Sequence, residues 1–356
     1  MIFTPLENSL KVEWDKIAHL SDDAWLFHLY DWLKLEEKVW GLERKSFLVE
    51  HEGRFIGIVP LQMNKKSRVL KSDLMGDCGV ALVNDLHPSF REKVLKGIYQ
   101  HIEVIARQNT SPAVEIYLTP LSETILKDRW QVNPLLHFHY QDISTHTLIV
   151  DLTQSKEAIL ANLSADARLQ MRKAKDAGYS LRVGSGIEKY YELHVESYKR
   201  TGVAPHPQEY FENIYALICQ KGHACLWEAI DAKGETVAFE MIALFKGKAF
   251  YWTSCCKNEH LESGVNYLMQ ANSMLWAREQ GATYFETGEI FPGARGGKEK
   301  GLTGFKEKFG GEVHRLLKGR LEMSAPSTFK KWARLSMVML KDLFKARNAC
   351  DDSRRN

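Results

Sequence analysis

ACLWEAIDAKGETVAFEMIALFKGKAFYWTSC, residues 224–255, holds three short apolar runs separated by Lys233-Gly234 and Lys246-Gly247. Runs of this length, broken by a residue followed by glycine, mark consecutive antiparallel strands joined by tight turns, because glycine reaches positive φ without steric cost. Just downstream, GVNYLMQANSMLWAREQ (264–280) sets Leu268, Ala271, Leu275 and Trp276 on one side at helical spacing, Gly281 stops the helix, and TYFETG (283–288) reads as a strand. The same order occurs earlier. SFLVEHEGRFIGIVPLQMN (46–64) is a hairpin turning at Glu52-Gly53, SFREKVLKGIYQHIEVIARQ (89–108) is a helix with Val94, Ile98, Ile102 and Ile105 on one face, and AVEIYL (113–118) is a strand. Hairpin, helix, strand, stated twice, predicts an α/β protein with mixed sheets covered by helices. The division between the halves falls near TLIVDLTQS (147–155).

A chain of 356 residues exceeds one ordinary core, which agrees with two halves. A net charge of +3 is too small for binding to a polyanion through the overall field, so any phosphate site must come from local clustering. The first residues, MIFTPLENSLKVEWDKI, carry Glu7, Glu13 and Asp15 and have no apolar core of a signal peptide, so a cytoplasmic protein is expected. The six cysteines (78, 219, 225, 255, 256, 350) lack C-x-x-C spacing and read as reduced structural thiols. The thirteen histidines show no H-x-x-x-H or H-E-x-x-H pattern, so no metal site is expected.

Four segments, in order, carry a family resemblance: LSADARLQMRKAKDAGYSLRV (163–183), YYELHVESYKRTG (190–202), SGVNYLMQANSMLWAREQGATYFETG (263–288) and GLTGFKEKFGG (301–311). In order and spacing they resemble the FemAB-like branch of the GNAT acyltransferases, over most of 148–321 and more loosely over 25–119. The resemblance implies two tandem GNAT-like halves, residues 1–147 and 148–323, each a mixed, mainly antiparallel sheet covered by helices. It also implies an N-acyltransferase that moves an acyl or aminoacyl group to an amine, on a cell-wall or polysaccharide precursor. No tightly bound cofactor is implied; acyl-CoA (acetyl-CoA) or aminoacyl-tRNA would be the co-substrate.

Ser164 can cap a helix bearing Arg168, Arg172 and Lys175 on one side, with Lys173 beside them, and Leu163, Ala167, Met171 and Ala174 on the other. Docking by the apolar stripe would hold the cations in place, and a guanidinium grips two phosphate oxygens at once. Arg168 and Arg172 are therefore candidates for a phosphate-bearing substrate. Ser263, Gly264 and Asn266 open a helix whose free amides suit an anion, although the richer glycine loop that cradles the CoA pyrophosphate in typical GNAT enzymes is reduced here to one glycine. Glu286, near the end of its strand, and Glu240, a lone charge in VAFEMIAL, are candidate proton acceptors, and a structural ion pair is the alternative for each. Tyr251 is a further polar candidate at that edge.

PGARGGKEK (292–300) and the glycines after it read as a mobile loop carrying Arg295. By the resemblance, Phe305, Lys306, Phe309, Gly310 and Gly311 form a donor-site element. Physically, two Phe four apart would anchor a helical turn while Lys306 points the other way, toward a phosphate or oxyanion. STFKKWARLSMVMLKDLFKARN (327–348), within a segment of residues 324–356, reads as a basic amphipathic helix able to rest on an anionic membrane or contact RNA. An alternative to catalysis is thus a GNAT-fold module that binds RNA or a membrane surface.

Overall fold

The computed structural model describes residues 1–128, 132–184 and 186–323. The basic segment 324–356 lies outside the described residues. The first half runs β1 (Ile2–Pro5), α1 (Lys11–Leu20), α2 (Tyr30–Trp40), β2 (Phe47–His51), β3 (Arg54–Val59), β4 (Leu70–Lys71), β5 (Ala81–Leu82), α3 (Pro88–Gln108) and β6 (Ala113–Tyr117). The second runs β7 (Thr145–Asp151), α4 (Lys156–Asn162), α5 (Ala165–Asp176), β8 (Ser180–Val183), α6 (Glu188–Thr201), α7 (Gln208–Leu217), β9 (Ala224–Ile230), β10 (Thr236–Phe245), β11 (Lys248–Cys256), α8 (Val265–Glu279), β12 (Tyr284–Ile290), α9 (Gly297–Glu307), β13 (Glu312–Leu316) and β14 (Lys318–Glu322).

The turn chemistry read from the sequence forms the hairpins. Glu52 and Gly53 both take positive φ, 51° and 76°, as do Lys246 and Gly247 at 48° and 67°, the geometry whose twist matches paired strands. β9, β10 and β11 stand side by side in a seven-stranded sheet of order β8-β9-β10-β11-β12-β7-β13. β10 is buried along almost its whole length, which explains its continuous apolar run. On one face of it Phe239 meets Tyr190 of α6, and on the other Glu240 meets Ser273 of α8. In the first half β1-β2-β3-β5 form one sheet, while β4 and β6 pair in a second with shorter strands.

β7 spans the expected division at 147/148 and belongs wholly to the seven-stranded sheet. β14 does the reverse: it leaves the second half and pairs with β6, from Lys318 opposite Tyr117 to Glu322 opposite Ala113. The halves are also locked by the turn between β10 and β11. The Trp25 indole donates to the Phe245 carbonyl at 2.9 Å, and the Lys246 ammonium donates to the carbonyls of Ser21 and Ala24 at 2.5 and 3.0 Å. Trp25, Phe27 and Trp32 pack against Phe250 and Trp252, so one continuous core passes between the halves. Among the described residues no helix is long and apolar enough to cross a membrane. The five described cysteines are unbridged.

Candidate active site

β11 and β12 are parallel neighbours only at their first residues, Lys248 to Phe250 opposite Tyr284 to Glu286. Beyond that point both strands are bulged, β11 between its pairs at Tyr251 and Thr253, and β12 between its pairs at Glu286 and Glu289. A bulge adds local twist and bends its strand, so two bulges at one level separate the strands. The backbone groups beyond Phe250 and Glu286 are thereby freed from the ladder between them.

Next to the split lies a cavity of about 200 Å³ whose lining includes Glu240, Tyr251, Ser254, Asn266, Phe305 and Arg200. Four residues singled out in the sequence, Glu240, Tyr251, Asn266 and Phe305, thus converge. Glu240 is only 2% exposed, one of its carboxyl oxygens has no hydrogen-bond partner, and burial pushes the carboxyl up to about 8. It is the buried carboxyl anticipated for VAFEMIAL, and among the described residues it has no ion-pair partner. The Tyr251 hydroxyl contacts Ser254 Oγ at 2.5 Å. Arg200, on α6, drew no attention in the sequence because a basic residue in the last turn of a helix has an ordinary capping explanation.

A second cavity, about 340 Å³, opens between the halves, its walls including Asp77, Tyr117, Glu286, Glu289, Lys318 and the Phe250 ring. Strand alternation alone would put Glu286 and Glu289 on opposite faces; the bulge at Thr287-Gly288 brings them to the same cavity. Glu286 accepts a hydrogen bond from Thr147 Oγ1 at 2.9 Å, and burial, reinforced by the neighbouring Asp77, pushes its carboxyl up to about 8. Burial raises Asp77 itself to about 6, against the pull of Lys318. Asp77 sits in SDLMGDCGV, a segment without helical or strand periodicity, so no sequence signal pointed to it.

Lys306 lies behind the wall of the second cavity. Its ammonium donates to the Glu289 carbonyl at 2.8 Å and lies over Gly288, where a Cβ would sit 2.9 Å from it. Burial lowers its pKa to about 8, opposed by Glu286 and Glu289. The expected mobile loop is corrected here: residues 297–307 form helix α9, which carries Lys306 inward against β12. The reason is packing. The Phe305 and Phe309 rings lie 5.2 and 5.8 Å from that of Tyr267, and this aromatic cluster holds the helix although Gly301 and Gly304 occupy its open face. Arg295 precedes α9 and is exposed.

The two other expected phosphate contacts are differently employed. Arg168 turns back to donate to the carbonyls of Ala161, at 2.7 Å, and Leu163, satisfying the end of α4, whereas Arg172 is exposed on α5. At the start of α8, Gly264 has φ 82°, and a Cβ there would fall 2.3 Å from the Gln170 carbonyl oxygen. Ser263 Oγ accepts from the Val265 amide at 3.2 Å. The glycine therefore serves the close approach of α5, and the Ser263 hydroxyl engages one of the free amides of the α8 start.

Residues 161–306 match the family model described as an acetyltransferase (GNAT) domain. Over 161–306 the chain thus carries a GNAT domain, and its overall fold is that of tandem GNAT proteins. Among solved structures it is similar to FemX (17% identity, 90% of this chain and 97% of that one covered, TM-score 0.67). It is also similar to a tandem GNAT protein from the clavulanic acid biosynthesis pathway (14%, 91% and 99%, 0.57) and to L-PGS from Bacillus licheniformis (16%, 94% and 98%, 0.56). No curated protein sequence matches the chain.

Proposed function

We propose that the protein is an N-acyltransferase that passes an acyl or aminoacyl group from an activated ester donor to an amine, with the donor carbonyl in the strand split and the amine in the cavity between the halves. The observation that carries the reading is the parting of β11 and β12 directly after Phe250 and Glu286, with a buried carboxyl in each adjoining cavity and Lys306 beside Glu286. The neutral amine attacks the donor carbonyl, forming the C–N bond and a tetrahedral oxyanion. Collapse breaks the bond to the thiol or ribose oxygen, and the surplus proton of the attacking nitrogen passes to a carboxylate and from there to the departing sulfur or oxygen. Glu286 lines the acceptor cavity and is the group placed to take it. One Lys306 N–H is engaged by the Glu289 carbonyl, leaving others to meet the developing oxyanion.

The close approach of α5 at the start of α8 favours a donor whose phosphates are gripped elsewhere, for which Arg200 at the donor cavity, also bonded to Asn258, and the exposed Arg172 and Arg295 are candidates. That arrangement suits an aminoacyl-tRNA better than a CoA ester gripped through its pyrophosphate. An envelope precursor carrying an amine is the acceptor class we favour. Thermal unfolding with acetyl-CoA, longer acyl-CoAs and uncharged tRNA, in low and moderate salt, tests the donor. A ligand at a hundred times its Kd adds about 2.7 kcal/mol of stability, a shift of several degrees. A salt-resistant shift with a CoA ester would replace the tRNA donor by a thioester. Binding of tRNA that vanishes steeply with salt, without transfer to any amine, would favour the RNA- or membrane-binding module instead.

A further inference from the structure

We propose that Glu36 and Asp73 form a buried acid–carboxylate pair whose single shared proton locks the loop 73–77, the wall through which the first half presents Asp77 to the cavity between the halves. Both side chains are fully buried. Asp73 Oδ1 accepts from the amides of Met75 and Gly76 at 2.9 and 2.8 Å, and its Oδ2 accepts from the Trp32 indole at 3.1 Å and the Cys78 thiol at 3.3 Å. Glu36, on α2, accepts from the amides of Leu74 and Met75 through Oε1 at 3.2 and 2.9 Å. Three successive loop amides are thus held by two carboxyl groups, and Gly76 is pressed so closely on the Phe27 ring that a Cβ would lie 2.4 Å from it.

The two carboxyls share the Met75 amide and lie in hydrogen-bond contact, yet Glu36 Oε2 is buried and receives no donor. Two carboxylates cannot face each other in that way without water or a cation; one proton between them satisfies both oxygens. Among the described residues, the titratable groups acting on or feeling the pair include Asp77 and Cys78 from the following segment, Tyr117 from β6 and Tyr210 from α7, none of these being cationic. Asp73 accepts four donors while Glu36 accepts two through one oxygen only, so the proton is placed on Glu36. Burial, then the Asp73 charge, holds the Glu36 carboxyl well above the usual range. Removing the proton sets two like charges against each other beneath the loop. The inference deepens the acceptor-cavity reading and rests on it only for the consequence on transfer.

Hydrogen exchange of the segment 70–80 in the full chain tests the lock without any substrate, so its failure is separate from failure of the acceptor assignment. Glu36→Gln keeps an acceptor oxygen for Leu74 and Met75 and supplies an N–H toward Asp73. At pH 7 it should exchange within about two-fold of wild type, whereas Glu36→Ala should exchange on the order of 10- to 100-fold faster at those amides. As rising pH removes the Glu36 proton, wild type should exchange progressively faster than Glu36→Gln at matched pH. Equal exchange in Glu36→Ala and wild type would overturn the proposal, as would Glu36→Gln matching Glu36→Ala at pH 7, since the native group would then be a carboxylate. Should Glu36→Ala fail to fold, the pH series of wild type against Glu36→Gln decides alone, and parallel curves would refute the shared proton.

Discussion

Replacing Glu240 by Gln probes the buried carboxyl of the donor cavity without relying on any substrate. Glu240 is 2% exposed and its pKa in the folded chain is about 8, against an unfolded value near the ordinary 4.5, because burial penalises the charged form. Between these values the folded state holds a proton that the unfolded state has released, so stability falls as pH rises: it is fully present below the unfolded pKa and lost on passing through the folded one. Each pH unit in that window costs about 1.4 kcal/mol for one proton, so at pH 7 the native side chain is disfavoured by about 3 kcal/mol relative to a neutral isostere. Glu240→Gln cannot ionise and keeps shape and volume. The two proteins should melt close together near pH 5, and the variant should melt higher by several degrees near pH 7.5, at roughly 2 °C or more per kcal/mol for domains of this size. Paired melts of both proteins in one set of buffers from pH 5 to pH 8.5 give the comparison. A gap that stays constant with pH, or a variant less stable throughout, would show that Glu240 is ionised in the fold, and the assignment of a neutral carboxyl to the donor cavity would be wrong.

Three other outcomes follow from the geometry. Lys306→Ala should lower turnover on the order of 10²- to 10³-fold, the loss typical of one preorganised donor, while the protein still melts cooperatively; unchanged turnover would remove Lys306 from the mechanism. Turnover should rise toward pH 8 as the Glu286 carboxyl ionises and fall above it as Lys306 loses its proton, since both groups titrate near 8. In Glu286→Gln the rising limb should disappear along with most of the activity, and a profile unchanged in shape would exclude Glu286 as the base. Gly264→Ala puts a side chain at φ 82° and 2.3 Å from the Gln170 carbonyl, so it should destabilise the chain by about 1–3 kcal/mol, and a variant as stable as wild type would show that α5 does not rest there.

The seams of the fold were legible where the chemistry is local. Ser164 caps α5 as its position suggested, accepting from the Ala167 amide at 3.0 Å, and Ala167 and Ala174 of the expected apolar stripe are buried. Glycine propensity argues for a loop over 297–304, whereas the helical turn anchored by Phe305 and Phe309 extends back through those glycines because the aromatic cluster with Tyr267 holds it. Arg168 looked like a phosphate ligand by charge and spacing; its two carbonyl partners arise only from the bend between α4 and α5.

By itself the sequence determined two repeated α/β units, their turns, their helix faces and the segment holding Glu240, Tyr251 and Asn266, because a strand period of two, a helix period of 3.6 and the positive φ of glycine act within a few residues. Only the tertiary structure decided that β11 and β12 part after Phe250 and Glu286, that β14 crosses to the sheet of the first half, and that Asp77, Glu286 and Lys318 meet in one cavity. Those residues lie far apart in the chain. Their meeting depends on bulges that reverse strand alternation and on a core shared between the halves, neither of which leaves a periodic trace.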